Sequence, residues 1–466
     1  MMAISNPTYD PINTATSLAT EYTKGQKSIL DAQAAAATAT TTGLSKLSSA
    51  MSAFQSALAS LASGSKTVSA NAATFSNSAI GTASATSSAV AGTYSFYVEQ
   101  LATAGQVAYG GLTDTVAAGS GNLNVMLADG SSFQIGLAAA DKNVDGVLSA
   151  KEIAAAINIA AANNSRVTAS TLNVNGTSTL VLTSNLTGAD NAVSLDTSGV
   201  SNAALKTALD DPLNQNQVVS AKDAIVWIGA QGTGTKVQQA SNVYAVVDDV
   251  TMTFTKAQTV GDTPVTLTVA PDAAATAANV QTFVDAYNKL SSLLAELNAA
   301  GDASKSVKAG VFAADAGVSA LRAGMISAVR TVAGGQSLVN YGITAQRDGT
   351  LALDTTRMKK AIAANPSGLD TLFGKTALGA GTGVLGKMDK LMSSWTNSAT
   401  GQLGARKASV SKQQVSITDR QAILQNQYDN AYKRYLGQFT ALQTLQSQMG
   451  STTNLLTALF SSSKDS

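Results

Sequence analysis

Two heptad repeats bracket this chain, one near each end, and they limit what it can fold into. Near the N-terminus Leu44, Leu47, Met51, Phe54, Leu58 and Leu61 recur at alternating steps of three and four. That spacing makes a narrow apolar seam, as in a coiled coil, rather than a broad globular face. Near the C-terminus Tyr428, Tyr435, Leu442 and Met449 repeat every seven residues, with Tyr432 and Phe439 four beyond the first two. Upstream of the first seam, "ILDAQAAAATATTTG" offers Ala and Thr where large apolar residues would be needed. It is expected to hold a helix only when a partner covers it. Gly64 is the expected stop of the first helix.

Between the seams the period changes. "TYSFYVEQL" places Tyr94, Phe96 and Val98 on one face, which is a strand pattern. Short strand-like runs follow, separated by Gly, Asn and Asp: "NLNVML", "SSFQIGL", "SRVTASTLNV" and "STLVLTS". One helix, "AKEIAAAINIAAA", interrupts them. "NVYAVVDDVTMTF" then aligns Val250, Met252 and Phe254, and "VTLTV" aligns Val265, Leu267 and Val269. Helical spacing returns with Val280, Phe283, Val284, Tyr287, Leu290, Leu294 and Leu297, and again with Val318, Leu321, Met325 and Val329. "YGITAQRDGTLALD" reads as a small hairpin turning at Asp348-Gly349.

This order predicts an α+β multidomain chain. An α-helical stem, built from paired N- and C-terminal helices, carries two inserted, mostly-β head domains. The expected boundaries are 1–42 and 418–466 for flexible terminal helices, and 43–68 with 273–417 for a helical stem domain containing the hairpin. A β head domain spans 69–112 and 222–272. A second β-rich head domain with one short helix spans 113–221. Large side chains are sparse in the middle, so two small sheet domains are expected rather than one large sandwich.

Composition narrows the chemistry. With no Cys there is no disulfide, thiolate metal site or cysteine nucleophile, and with no His the commonest general base is missing. The formal net charge is +1 over 466 residues, which argues against nucleic acid or an anionic membrane as the main partner. No apolar run is long enough for a transmembrane helix, and no Sec-type leader is read at the start. "GTGVLG" at 381–386 matches a dinucleotide-binding glycine pattern but lacks a preceding strand and a following acidic residue, so it reads as a loop before a helix. "GAQGTGTK" at 229–236 puts Lys236 one residue late and Val237 where a hydroxyl is needed, which rules out a phosphate loop. No nucleophile–base arrangement is visible, and the chain is not expected to be an enzyme.

One motif has metal-ligand spacing. In "DKNVDGVLSAKE", Asp141, Asn143, Asp145, the Val147 carbonyl, Ser149 and Glu152 stand where a calcium loop draws its oxygens, with Gly146 at the sharp turn. The competing reading is an Asx-rich turn followed by a helix whose N-terminus favours Glu152. No cofactor is required on either reading, and calcium at 141–152 is the one candidate ligand.

Several stretches, in order along nearly the whole chain, resemble the type 2 hook-associated proteins that cap flagellar filaments. They are "AGTYSFYVEQLATAGQV", "SNVYAVVDDVTMTF", "NVQTFVDAYNKL", "YGITAQRDGTLALDTTRMKKAIAANPSGLDTLF" and the tail from "ITDRQAILQNQYDNAYKRYLGQF" onward. "KEIAAAIN" followed by strands resembles a motif of flagellin and hook-associated proteins. Asp249 departs from the pattern, standing where the family usually has Gly. The resemblance implies a homo-oligomeric ring of four to six subunits at the tip of the bacterial flagellum. It implies export through the flagellar type III apparatus without a cleaved signal, terminal helices that contact the filament, flagellin as partner, and an export chaperone bound through the C-terminal region. It also leaves room for a role in adhesion to host mucin or glycan. Other expectations compatible with the sequence are a different axial or junction protein of the flagellum and a calcium-dependent secreted adhesin.

Overall fold

The computed structural model describes residues 10–62, 66–174, 177–376 and 381–462. The expected helix stop at Gly64 and both extreme ends of the terminal segments lie outside the described residues. The chain divides into two compact units, residues 1–64 with 277–466 and residues 65–276. In chain order the helices are α1 (Pro11–Ala62), α2 (Leu137–Ala140), α3 (Ala150–Ile159), α4 (Ala203–Asp210), α5 (Ala273–Leu297), α6 (Ala316–Val329), α7 (Thr355–Ala364), α8 (Gly368–Phe373), α9 (Gly383–Thr396) and α10 (Gln402–Ser462).

The first unit is built on α1 and α10. Along α1, Thr23, Leu30, Ala37, Leu44, Met51 and Leu58 are buried at strict seven-residue intervals, joined in the second half by Leu47, Phe54 and Leu61. All six residues of the N-terminal seam read from sequence are therefore interior. On α10 the buried positions are Leu403, Ile417, Leu424 and Ala431, again on a seven-residue series in which Val410 is half-buried. Lys407 Nζ donates to Ser48 Oγ at 3.2 Å, and Gln414 Nε2 donates to Thr41 Oγ1 at 3.3 Å. The second contact lies seven residues back on α1 and seven residues on along α10, so the helices are antiparallel in one constant register. The Ala/Thr stretch at 31–43 is helical throughout, and its partner is α10. Its threonines turn inward on their own helix: Thr40, Thr41 and Thr42 each donate to the carbonyl four residues back.

Toward the other end of α1 the unit thickens. Phe54 meets Phe283 of α5 at 6.4 Å between ring centroids, and Phe283 meets Phe373 of α8 edge-on at 5.3 Å. The hairpin pairs Ile343–Ala345 with Leu351–Leu353, and Asp348-Gly349 lies in its turn, with Gly349 at φ +90°. Asn288 of α5 clasps that hairpin. Its amide accepts from Leu351 N at 2.7 Å and donates to Leu351 O at 2.8 Å.

The second unit carries two hydrophobic cores. One lies between a five-stranded antiparallel sheet and a three-stranded sheet. The five run in spatial order Asn71–Phe75, Val265–Pro271, Gly92–Gln100, Ala224–Ile228, Thr235–Gln239. The three are Val243–Val247, Val250–Phe254 and Gly81–Ala85. The aligned residues Phe96, Val98, Val250, Met252, Phe254, Val265, Leu267 and Val269 all enter this core, with Tyr94 packed on its rim. Asp249 closes the hairpin at φ +61°, a left-handed conformation that glycine adopts without cost. The other core joins the sheet Gln215–Val219, Ala104–Leu112, Thr177–Thr187, Val167–Val174 to a smaller one and to α3 and α4. The expectation of one short helix here is corrected: α2 and α4 are also present. "AALKTALD" buries only Leu205 and Leu209, too few positions to show a helical period in sequence.

The clasp made by Asn288 recurs in the second unit. Asn242 accepts from Ala102 N at 2.7 Å and donates to Ala102 O at 2.9 Å. Asn158 treats Ala169 the same way, and Asn163 treats Val167 the same way. In each case a side-chain amide satisfies both the N–H and the C=O of one residue, which a carboxylate cannot do because it lacks the donor. Asn288→Asp is therefore expected to lower the stability of the first unit by about 1–3 kcal/mol, the cost of leaving a buried carbonyl unpaired. Calorimetry of the whole chain should show one transition move and the other stay. An unmoved first-unit transition would remove the clasp's role.

Candidate assembly surface

The α1–α10 pair is anchored where α10 begins. Arg406 forms a two-pronged pair with Asp315: Nη2 donates to Oδ1 at 2.9 Å, and Nη1 donates to Oδ2. The guanidinium also lies over the Trp395 ring of α9, 5.0 Å from its centroid. Asp315 is the N-cap of α6 and accepts from Val318 N at 2.9 Å. One arginine thus joins α10, α9 and α6. Its hydrogen bond holds the Asp315 carboxyl below the usual aspartate range.

Away from this anchor the pair becomes thin. Around Leu30 and Leu424 there is an open groove on each flank. One, of about 660 Å³, is bordered by Thr23, Lys27, Gln425 and Tyr428. The other, of about 250 Å³, is bordered by Gln26, Ile29, Arg420 and Ile423. Ile29 and Ile423 are 60% and 57% exposed in it. A single layer of two helices meeting at Leu30 and Leu424 cannot close both flanks, so apolar surface at Ile29 and Ile423 is left open.

The C-terminal seam read from sequence falls partly on this interface and partly beyond it. Tyr428, Tyr432, Tyr435 and Phe439 are half-buried, with Tyr428 and Tyr432 stacked at 6.4 Å and 5°. Leu442 and Met449 are exposed. Continued along both helices, the register brings the start of α1 beside Thr444, so Met449 lies past it. The buried residues Leu403, Ile417, Leu424 and Ala431 form the seam proper. Their own seven-residue spacing was the signal that could have found them, but the larger tyrosines mask it.

The 141–152 loop is closed on its own side chains. Asp141 accepts from Val144 N and Gly146 N at 2.8 and 3.0 Å, and Asp145 accepts from Val147 N at 2.8 Å. Asn143 and Asp145 bond to each other. Val144 and Gly146 both take positive φ. Glu152 sits in a capping box: its Oε2 accepts from Ser149 N at 3.0 Å, and Ser149 Oγ accepts from Glu152 N at 3.3 Å. A cation would have to draw Glu152 out of that box. Among the described residues no three acidic side chains are gathered as a metal would need.

The comparisons with known proteins fit this frame. Residues 9–105 match the model of the flagellar hook-associated protein 2 N-terminus, and residues 221–451 match that of its C-terminus. The lateral flagellar hook-associated protein 2 of Vibrio parahaemolyticus is 34% identical over 380 residues, covering 80% of this chain and 82% of the relative. The chain belongs to the flagellar hook-associated protein 2 family. The B-type protein of Pseudomonas aeruginosa is 32% identical and covers 88% of this chain and 86% of its own length. Among solved structures, the D1-D2-D3 domains of the flagellar cap protein of Escherichia coli align with TM-score 0.59 and 26% identity, covering 79% of this chain and 99% of that one. Flagellar hook-associated protein 2 is a structural cap protein and not an enzyme. No helix among the described residues is long and apolar enough to cross a membrane.

Two measurements follow from the geometry. Arg406→Lys keeps the charge but loses the second prong and the ring contact, and is expected to cost about 1–2 kcal/mol in the first unit. Because Asp315 has a lowered pKa when folded, its contribution is full above about pH 4, the ordinary aspartate range, and fades as pH falls below it. The variant should melt with a shallower acid dependence than the parent, and identical slopes would show that the pair is not what holds Asp315 ionised. At the 141–152 loop, millimolar calcium is expected to leave the melting curve of the parent unchanged. A rise that vanishes in an Asp141→Ala, Glu152→Ala double variant would show instead that the ion recruits Glu152.

Proposed function

We propose that this protein caps the distal tip of the bacterial flagellar filament and promotes folding and insertion of exported flagellin. The observation that carries this reading is the α1–α10 pair, which is anchored by Arg406 at one end and carries open apolar flanks over its outer part. A cap that stays at a growing tip must hold many near-equivalent sites in turn without locking onto one. Contacts made by small residues on a thin helix pair suit that need, because each is weak and the surface they offer is repetitive. The protein acts as a homo-oligomer outside the cell. It reaches the tip through the flagellar export channel, and absence of Cys is compatible with that passage. Its C-terminal helix is the expected docking site for an export chaperone.

Deleting residues 1–40 removes the α1 half of the thin region while leaving residues 44–61 and the whole second unit in place. The truncated protein is expected to keep the circular dichroism and melting transition of its sheet unit and to lose capping. In cells lacking the parent protein it should release flagellin into the medium instead of building filaments. Filaments of normal length from the truncated protein would overturn the reading.

A further inference from the structure

The second unit presents an apolar knob on a rigid loop. Residues 255–264 cross from one sheet to the other. The apex is a closed turn: Asp262 N donates to Thr259 O at 2.9 Å, Thr259 N donates to Asp262 Oδ2 at 2.8 Å, and Gly261 adopts φ +98°. The base is pinned to the strand Gly92–Gln100. Tyr97 OH donates to Thr259 O at 2.9 Å, Gln258 N donates to Val98 O at 2.8 Å, and Gln258 Oε1 accepts from Val98 N at 3.0 Å. Gln258 Nε2 then reaches Thr263 O at 2.8 Å. At the apex stands Val260, 84% exposed. A loop so heavily tied down has already lost the freedom that docking would otherwise cost.

A cleft opens on the other side of the same sheet, between it and the three-stranded sheet. Side chains alternate along a strand, so Tyr97, under the loop, and Phe96 point to opposite faces. On the Phe96 side a cleft of about 290 Å³ is lined by Val90, Tyr94, Ile228, Val246 and Asp248. Val90 is 73% exposed there. The cleft carries an acidic group at Asp248, and the knob loop carries a basic one at Lys256. Neither forms a salt bridge among the described residues.

We propose that Val260 of one copy of this chain enters the Val90–Ile228–Val246 cleft of a second copy, with Lys256 of the first facing Asp248 of the second. Knob and cleft occupy opposite faces, so the contact is head-to-tail. Each copy then offers a free knob and a free cleft, and repetition closes into a ring when the rotation per copy permits. A single contact of this size is weak, and closure supplies the avidity. The inference rests on the cap reading and names the surface by which the cap holds itself together.

The test uses the full chain, with sedimentation and native mass spectrometry over a concentration series. Val260→Glu and Val90→Glu each alter an exposed side chain, and circular dichroism checks that the fold is kept. Each is expected to raise the concentration needed for assembly by about tenfold or more. Mixed together at concentrations well above those at which the parent assembles, so that one contact suffices, the two should form a one-to-one dimer and nothing larger, because only one knob and one cleft remain between them. Lys256→Asp and Asp248→Lys should each weaken assembly, and both changes in one chain should restore it. Single variants that assemble as the parent does would overturn this contact and leave the cap reading standing. So would mixtures that stay monomeric, which would assign the cleft to another occupant. A parent chain that is monomeric throughout would overturn both.

Discussion

The antiparallel register of α1 and α10 is the constraint on which the first unit depends. It joins segments more than three hundred residues apart in sequence, so the whole sheet unit is an insertion between two halves of one helical structure. Closing so long a loop carries an entropic cost that grows only slowly with length, and a long helix pair can meet it with many small contacts. The register must also be unique. The thin layers discriminate only weakly between one heptad and the next, because a slip of seven residues exchanges Leu30 for Thr23 or Ala37, a change of a few methyl groups. Discrimination comes from the end of the pairing that carries bulk: Leu44, Leu47 and Met51 on α1, and Leu403 on α10. Arg406 fixes the phase beyond this, since its two prongs and its ring contact can be satisfied in only one position along α10.

Packing along the pair is therefore graded. Near Phe54 each turn of α1 buries large side chains against α5 and α9, at roughly 1.5–3 kcal/mol for a fully buried large apolar group. Near Ala15, Ala19 and Thr23 each turn buries a methyl or two. From Leu436 to Ser463 the sequence has no charged residue, so that part of α10 has no ionic contact to offer either. The same two helices are a rigid core element at one end and a thin rod at the other. The difference is written in side-chain volume, because backbone hydrogen bonding is helical in both.

How much of this could be read from sequence follows the same physics. The N-terminal seam was legible because Leu44 to Leu61 are large and strictly spaced, and each is buried. The strand faces carrying Phe96, Val250 to Phe254 and Val265 to Val269 were legible because alternation survives when one side of a sheet is covered. The true seam of α10 was hidden, since Ala431 and Leu424 are less conspicuous than Tyr428 and Tyr435 beside them. α4 was hidden because two leucines make no period. The asparagine clasps were invisible, because nothing local distinguishes Asn288 or Asn242 from a surface amide. Only the fold supplies Leu351 and Ala102 as their partners.

The 141–152 loop marks where a motif stops short of a site. A calcium loop and an Asx-rich turn need the same residues at the same first positions, because both depend on carboxylate and amide oxygens that turn inward. They part at the last position. A metal needs Glu152 to reach back across the loop, whereas a helix needs it at the third residue to complete a capping box with Ser149. The short helix α3 buries Ala150, Ile153, Ala154 and Ile157 in the core of its sheets, so its start must be fixed in space. That requirement is met by Ser149 and Glu152 acting on each other. Spacing alone could not choose between the two uses, because the deciding quantity is the packing of the helix that follows.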